Sequence, residues 1–395
     1  MGHPAVAASL AAAALVVAMQ SRQIVSSGPP PVGPYSPAIK AGGLIYLSGT
    51  LAQDESGALV GAGDVAAQTR RVIERMRDLL KAAGSSLDQV VAISVYLKNG
   101  SDFQRMNEVY RTFWAKDPPT RTTVLADFVL PGALVEMSMI AVPDGAERVV
   151  IHPRSWLPSP NPYSYAIRSG DTVFLSGLVS RNGRDNTVVR GDVATQTKVV
   201  LDNACELLAA AGMTHDNVVS ARIFLPDVAH FQEMNAAYRR FYSSAPPARA
   251  TVQAGLAGSD YAVEITLVAS SAKKEVISDG RPSNPNLSPA IRAGSRVYLS
   301  GMLGNSPETA GDAGAQTRAT LSRIRTVLGA AGLSPADVVD SVVYLTDVGS
   351  FGAMNEAYRA FFGREFPART TVGTGLVVPD GLVEIMMTAT TIPDR

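Results

Sequence analysis

The sequence contains one hexapeptide in three versions: Pro119-Thr120-Arg121-Thr122-Thr123-Val124, Pro247-Ala248-Arg249-Ala250-Thr251-Val252 and Pro367-Ala368-Arg369-Thr370-Thr371-Val372. The arginines of the three versions are 128 and 120 residues apart. The same two spacings separate three asparagines and three glutamates: Asn107, Asn235 and Asn355, and Glu136, Glu264 and Glu384. Because three independent positions share one pair of spacings, the chain is predicted to hold three tandem copies of one domain-sized unit.

Stretches rich in Pro, Ser, Asn and Gly near 143–160 and 270–287 separate the copies. We predict an N-terminal segment and three domains, at 1–21, 22–146, 147–272 and 273–395. The N-terminal segment has an uncharged, alanine-rich run of the length found in signal peptides, although no Lys or Arg precedes it. It is too short for a membrane span. Two interpretations stay open: a secretory signal of a periplasmic or secreted protein, or a disordered extension of a cytoplasmic one.

The composition suits folded domains and argues against several classes of function. Hydrophobic residues make up 46% of the chain and charged residues 18%, so each copy can bury a core. There are 35 basic and 35 acidic residues, whereas nucleic-acid binders carry a basic surplus, so we expect no nucleic-acid partner. The single cysteine, Cys205, is predicted to face solvent on its helix. Four scattered histidines form no metal-binding motif, so we predict neither a metal nor another cofactor.

The aligned copies share one predicted order of elements, β-β-α-β-α-β-β. The second strand of each copy ends in Ser-Gly and follows a Pro/Ser/Asn-rich segment that we predict to be a loop. Asp64, Asp192 and Asp312 precede the first helix of each copy and suit its N-cap, and Gly84, Gly212 and Gly332 follow it as C-caps. Tyrosines of the second helix are predicted to be core residues: Tyr110, Tyr238 and Tyr358. The predicted fold class is therefore α+β, with both helices on one face of a mixed sheet in each copy.

The arginine of the hexapeptide is the strongest candidate for chemistry. Its planar guanidinium can hold a carboxylate through two parallel hydrogen bonds. In every copy a glutamate follows fifteen residues later inside an apolar strand, where glutamate is rare unless it is paired or functional. The alternative is a buried Arg–Glu salt bridge that serves only folding, and the spacing alone favours neither. The Ser-Gly strand end adds a glycine at which the backbone can approach a ligand.

Several motifs in order resemble the RidA (YjgF-like) family of reactive intermediate deaminases. In the first copy they are Gly33-Pro34-Tyr35-Ser36, Leu47-Ser48-Gly49, Ala67-Gln68-Thr69, Met106-Asn107, Arg121-Thr122-Thr123-Val124 and Val135-Glu136. The resemblance covers nearly all of each copy. It implies a chorismate-mutase-like fold with pockets between neighbouring subunits of a trimer. It also implies hydrolysis of 2-imino acids, or their enamine tautomers, to 2-oxo acids and ammonia, with 2-iminobutanoate and 2-iminopropanoate as typical substrates.

The resemblance also assigns roles by position. Arg121, Arg249 and Arg369 would bind the substrate carboxylate, and Glu136, Glu264 and Glu384 would position the attacking water. Further substrate-binding positions come from the same transfer: Tyr35, Gly49, Asn107, Thr123, Tyr163, Gly177, Asn235, Thr251, Gly301, Asn355 and Thr371. The third copy departs from the pattern, because Leu287 stands where the others have tyrosine. We therefore expect unequal pockets, with the one that contains Leu287 the weakest.

Other functions compatible with these residues are a non-catalytic protein that binds small carboxylates or other proteins, and a hydrolase of a different imine or amide. Retention of the arginine and the glutamate in every copy favours the enzyme. Since three fused copies can bury their apolar faces against one another, we expect a monomeric pseudo-trimer, with further dimerisation compatible.

Overall fold

The computed structural model describes residues 22–28, 30–242 and 244–391. Within these ranges three mixed β-sheets each carry two long helices on one face, which confirms the α+β class and the three copies. Residues 1–21 lie outside the described ranges, so the signal peptide and the localisation stay predictions. In the described ranges no helix is long and apolar enough to cross a membrane.

Each sheet is built from one copy, with a single exception. The first copy forms β1 (Gln23–Val25), β2 (Ala38–Ala41), β3 (Leu44–Leu51), α1 (Val65–Ala82), β4 (Val90–Leu97), α2 (Phe103–Phe113), β5 (Thr120–Leu125) and β6 (Val135–Ala141). The second forms β7 (Val149–Ile151), β8 (Ala166–Ser169), β9 (Thr172–Leu175), α3 (Val193–Ala210), β10 (Val218–Leu225), α4 (Phe231–Tyr238), β11 (Ala248–Gln253) and β12 (Glu264–Ser270). The third forms β13 (Lys274–Ile277), β14 (Ala290–Ala293), β15 (Arg296–Leu303), α5 (Ala313–Ala330), β16 (Val338–Leu345), α6 (Phe351–Phe362), β17 (Ala368–Gly373), β18 (Gly375–Leu376) and β19 (Val383–Thr390).

The strand order of the first sheet is β1-β2-β3-β6-β4-β5, and the other two sheets repeat it. Strands β4 and β5 are parallel, with α2 as the crossover between them, and the remaining neighbours are antiparallel. The exception is β18 of the third copy, which pairs with β11 and extends the second sheet. The predicted domain boundaries fall between sheets, and they stay predictions.

The prediction of a loop before the Ser-Gly strand was wrong in part, because β2, β8 and β14 lie there. Each is a four-residue strand that forms a hairpin with the strand that follows. The turns use Gly42, Gly170 and Gly294, whose φ angles of +57°, +56° and +59° are unfavourable for residues with a side chain. Four residues are too few for a clear alternation of polar and apolar positions, so the surrounding Pro and Ser residues dominated the prediction.

Helix α1 begins and ends as its sequence predicts. Asp64 accepts hydrogen bonds from the backbone N–H groups of Ala66 and Ala67, and Asp192 and Asp312 cap α3 and α5 in the same way. Gly84 follows the helix with φ of +73°, the left-handed conformation typical of a C-terminal stop. Cys205 is exposed, which confirms the prediction that it faces solvent.

The three sheets pack around a shared centre. One apolar cluster draws on all three copies and includes Tyr96, Phe224 and Tyr344, which occupy equivalent positions and are fully buried. Strand β5 contacts β9, β11 contacts β15, and β17 contacts β3, so each copy contacts the next and the third returns to the first. This closed arrangement confirms the intramolecular pseudo-trimer.

Candidate active site

Each hexapeptide strand lies against the Ser-Gly strand end of the neighbouring copy. The backbone N–H of Arg369 donates to Ser48 Oγ at 2.8 Å, and the Ser48 hydroxyl donates to the Ser36 carbonyl at 2.6 Å. The same bonds join Arg121 to Ser176 at 2.9 Å and Arg249 to Ser300 at 2.8 Å. Sequence reasoning missed this role of the serines, although their recurrence in every copy was visible.

In each pocket the arginine comes from one copy and the glutamate comes from the neighbouring copy. Arg369 faces Glu136, Arg121 faces Glu264, and Arg249 faces Glu384, and in each case the arginine lowers the pKa of the glutamate opposite. The two residues that stand fifteen positions apart in the sequence therefore belong to different pockets. We call them the first pocket (Glu136 and Arg369), the second pocket (Glu264 and Arg121) and the third pocket (Glu384 and Arg249).

These arginines and glutamates are at most 5% exposed. In the described part of the chain, the ion pairs join other residues and none connects an arginine of a pocket with its glutamate. Arg121 Nη1, Arg369 Nε and Glu136 Oε2 are buried without a protein hydrogen-bond partner. The arrangement does not support the alternative of a salt bridge that serves only folding, since such a bridge would satisfy these atoms.

Burial dominates the pKa of all three glutamates. It raises the pKa of Glu136 and Glu384 to about 8 and that of Glu264 to about 7, because removal from water disfavours the charged form. The facing arginine acts in the opposite direction. The backbone N–H of Thr123 also donates to Glu264 Oε1 at 3.2 Å and lowers its pKa. Each carboxyl is thus balanced between its two protonation states close to neutral pH.

The glycine of the Ser-Gly motif makes room for the glutamate. A Cβ atom added to Gly49 would lie 1.9 Å from Glu136 Oε1. A Cβ atom added to Gly177 or to Gly301 would lie at the same distance from Oε1 of Glu264 or of Glu384, respectively. The glycine of each Ser-Gly motif therefore lies against a carboxyl of its own domain, a contact that the sequence did not predict. Gly49 and Gly177 also line the cavities of their pockets.

Aromatic rings surround the arginines of the first two pockets. The guanidinium of Arg121 lies 4.9 Å from the centre of the Tyr110 ring and 5.7 Å from that of Tyr163. Arg369 is placed equivalently, 4.8 Å from Tyr358 and 5.3 Å from Tyr35. Cation–π contacts of this kind hold the guanidinium without consuming its N–H donors. The helical tyrosines are core residues, as the sequence predicts, but they also position the arginine, which was not predicted.

The third pocket differs. Leu287 replaces the tyrosine of the neighbouring copy, and Arg249 Nη2 donates to Asn235 Oδ1 at 2.8 Å. The guanidinium of Arg249 lies 4.9 Å from the centre of the ring of Tyr238 on α4. The adjacent cavity of about 430 Å³ is lined by Leu287 and Gly301 but not by Arg249 or Glu384.

The other two pockets open into cavities that their arginine and glutamate line directly. The first has a volume of about 540 Å³ and contains Tyr35, Gly49 and Thr371. The second has a volume of about 320 Å³ and contains Tyr163, Gly177 and Thr123. Cavities of these two volumes suit small molecules. In the third pocket, the backbone N–H of Thr251 donates a hydrogen bond to the Glu384 carboxyl.

The asparagines lie on the helices whose tyrosines contact the pocket arginines. Asn235 and Asn107 are buried, and Asn355 occupies the equivalent position on α6. The bond from Arg249 to Asn235 shows that this position can hold the guanidinium. Direct contact of Asn107, Asn235 or Asn355 with a substrate stays a prediction. Among the described residues, no group of three or more His, Cys, Asp or Glu side chains is placed to hold a metal ion.

The fold and the pockets define an α+β protein with three tandem copies and a composite small-molecule site between each pair of neighbours. The profile of the family described as Endoribonuclease L-PSP matches residues 25–143, 155–271 and 280–391. The chain belongs to this family, in which RidA and RutC proteins also stand, and carries its domain three times.

Single-domain proteins of this family match one copy at a time. The protein named 3-aminoacrylate deaminase RutC from Acinetobacter baylyi is 40% identical over 113 residues, which are 29% of this chain and 90% of that protein. The crystal structure of RidA from an Antarctic Psychrobacter is 35% identical and covers 31% of this chain and 99% of its own, with a TM-score of 0.29. A chorismatase crystal structure covers 77% of this chain and 93% of its own at 12% identity, with a TM-score of 0.54, which shows a shared fold.

Proposed function

We propose that the protein hydrolyses 2-imino acids, or their enamine tautomers, to 2-oxo acids and ammonia. One observation carries the proposal: in the first and second pockets a buried arginine faces a buried glutamate, the described residues show no ion pair between the two, and burial raises the pKa of the glutamate close to neutrality. The name of the RutC relative, 3-aminoacrylate deaminase, supports the same type of reaction.

The arginine would bind the substrate carboxylate. In the second pocket Arg121 Nη1 has no hydrogen-bond partner among the described residues, and the neighbouring rings contact the guanidinium without accepting its N–H groups. A carboxylate held by two N–H donors fixes the orientation of the C=N carbon next to it. With the carboxylate fixed, the imine carbon lies near the glutamate of the adjoining domain, which is a proximity contribution.

The glutamate would move the protons. In its neutral form Glu264 donates a proton to the imine nitrogen and makes the carbon more electrophilic. The resulting carboxylate accepts a proton from water as the water oxygen bonds to that carbon. Return of this proton to the nitrogen allows the C–N bond to break and ammonia to leave. Transfer of the hydroxyl proton to the Glu264 carboxylate then forms the 2-oxo acid and restores neutral Glu264. One imine and one water thus give one 2-oxo acid and one ammonia.

The third pocket favours binding over catalysis. Leu287 offers no hydroxyl, Arg249 is held by Asn235, and the neighbouring cavity does not reach Glu384. We propose that this pocket contributes least to turnover. The non-catalytic alternative weighed from the sequence therefore applies best to this pocket.

The family description names an endoribonuclease, and RNA is a second class of substrate to test. The zero formal net charge of this chain and the burial of its arginines favour a small acid over a polyanion.

The direct test generates 2-iminopropanoate or 2-iminobutanoate with an amino-acid oxidase and traps the remaining imine with semicarbazide. We expect the protein to reduce the amount of trapped imine, to be insensitive to chelators, and to leave single-stranded RNA intact. A folded preparation without effect on several imino acids would favour a binding protein, and RNA cleavage lost in Glu136→Gln/Glu264→Gln would favour the ribonuclease.

A further inference from the structure

The second pocket contains a second arginine. Arg181 lines the same cavity of about 320 Å³ as Arg121, Tyr163 and Glu264. It stands four residues after Gly177, a position occupied by Gln53 in the first copy and by Asn305 in the third. Of these three equivalent positions, only that of the second copy carries a charge.

In the part of the chain that the structure describes, neutral groups hold Arg181 and no carboxylate pairs with it. Its Nη1 donates to Tyr261 Oη at 3.0 Å and its Nη2 donates to the Asn186 carbonyl at 2.5 Å. Its Nε is buried and has no hydrogen-bond partner among the described residues. The acidic residue of the same cavity, Asp260, pairs instead with Arg190 at 3.0 Å. Neutral groups thus hold the Arg181 guanidinium, and its charge is unbalanced.

The first pocket provides a contrast. Its cavity also contains Arg71 and Arg75, but Glu55 and Asp78 line it as well, and Glu55 pairs with Arg71 at 3.4 Å. The carboxylates of Glu55 and Asp78 therefore accompany the two extra arginines of the first cavity, whereas the extra carboxylate of the second cavity, Asp260, is paired with Arg190. In the second pocket a substrate with one carboxylate would neutralise Arg121 and leave Arg181 unmatched.

Both arginines of the second pocket act electrostatically on Tyr163. Burial raises the pKa of the Tyr163 hydroxyl, and Arg121 and Arg181 both act to lower it, so both lie within electrostatic range of this one group. The Arg121 guanidinium lies 5.7 Å from the centre of the Tyr163 ring, and Glu264 and Gly177 line the same cavity. A short chain with an acid at each end fits this pattern of charge.

We propose that the second pocket binds 2-imino acids that carry a second carboxylate, an inference that rests on the proposed function. These substrates are the four- and five-carbon imines derived from acidic amino acids. Arg121 holds the carboxylate next to the imine, and Arg181 holds the distal carboxylate. The reaction is the same hydrolysis, in which water adds to the C=N carbon and ammonia leaves. A charge-assisted hydrogen bond from the Arg181 guanidinium to this carboxylate gives the distal acid its specificity.

The test isolates the second pocket with the variant Arg249→Ala/Arg369→Ala. In this background the imines of glutamate and alanine, each generated by an oxidase, are compared by semicarbazide trapping. We expect a higher kcat/KM for the dicarboxylic imine. Arg181→Gln, which installs the residue of the first copy, should lower that value about tenfold, the loss expected for one charge-assisted hydrogen bond, and change the alanine imine less than about twofold. Arg184→Gln, an exposed arginine of the same loop, is the matched control.

A binding measurement separates this inference from the proposed function. Calorimetry of the otherwise unmodified chain with 2-oxoglutarate and 2-oxobutanoate needs no turnover and no multiple variant. Tighter binding of 2-oxoglutarate that Arg181→Gln removes supports the inference even if no imine is hydrolysed. Imine hydrolysis without preference for the dicarboxylic substrate, together with equal effects of Arg181→Gln on both ligands, would overturn the inference and leave the proposed function standing.

Discussion

The guanidinium of Arg369 lies 5.3 Å from the centre of the Tyr35 ring, so the last domain of the chain completes a pocket of the first. The same relationship joins Arg121 to Tyr163 at 5.7 Å. A single domain of this chain supplies the arginine of one pocket and the glutamate of another. Function therefore depends on closure of the three-domain ring.

Alanine substitution of the three arginines should have unequal effects. The structure pairs Leu287 with Arg249, which identifies the weak pocket that the sequence left unassigned. Loss of a tyrosine hydrogen bond to a polar ligand costs about 0.5–1.5 kcal/mol, a several-fold effect. We expect Arg249→Ala to keep nearly full imine-hydrolysis activity, and Arg121→Ala and Arg369→Ala to lose large shares. Equal losses for the three folded variants would contradict the inequality.

The buried glutamates should make stability depend on pH. Their pKa values are raised from about 4.3 in an unfolded chain to about 7–8 in the folded one, so the folded state retains protons that the unfolded state releases. This contribution to stability is complete below about pH 4.3 and is lost as the pH rises through 8. Between pH 5 and 9 we expect the melting temperature to fall. The variant Glu136→Gln/Glu264→Gln/Glu384→Gln should show a flatter profile, and an unchanged slope would show that other groups cause it.

Substitution of Gly177 tests the close approach to Glu264. The new Cβ would lie 1.9 Å from Glu264 Oε1 and 3.1 Å from its Cγ, so the whole side chain has to move. We expect Gly177→Ala to destabilise the protein by about 1–3 kcal/mol and to remove the activity of the second pocket. Gly329→Ala is the control, because Gly329 lies in α5 with no atom within 4 Å of the new Cβ, and it should stabilise by about 0.5–1 kcal/mol. Equal behaviour of the two variants in urea unfolding would contradict this assignment.

The pseudo-trimer should make a trimer of chains unnecessary. Apolar faces around Tyr96, Phe224 and Tyr344 are already buried within one chain. We expect sedimentation equilibrium to give a mass near 41.5 kDa for the full chain, or twice that if rings dimerise face to face. A stable species of three chains would show that the copies pair between chains.

Much of this structure follows from repetition in the sequence. The repeat gave the domain count, Asp64 and Gly84 gave the limits of a helix, and the recurrent Arg and Glu gave the chemical groups of the site. These features depend on residues close together in the chain or on periodic patterns. Local chemistry decides them, and local sequence therefore reveals them.

The sequence could not predict which arginine and which glutamate share a pocket. Arg121 and Glu136 stand fifteen residues apart in one copy, yet they face different pockets because the ring places each hexapeptide strand on the next copy. The stacking of Tyr110 on Arg121 and the fit of Gly49 against Glu136 depend on the same long-range packing. Identical spacing in three copies is compatible with pairing within a domain or between domains, so only the structure distinguishes them.

The most direct test of the composite site compares two double variants by imine trapping. Arg121→Ala/Glu264→Gln changes both residues of the second pocket and leaves the first pocket intact. Arg121→Ala/Glu136→Gln changes two residues of one domain and damages both pockets. We predict that the first double variant is as active as Arg121→Ala alone, whereas the second keeps only the weak activity of the third pocket. The reverse result, with Arg121→Ala/Glu136→Gln the more active, would contradict the account.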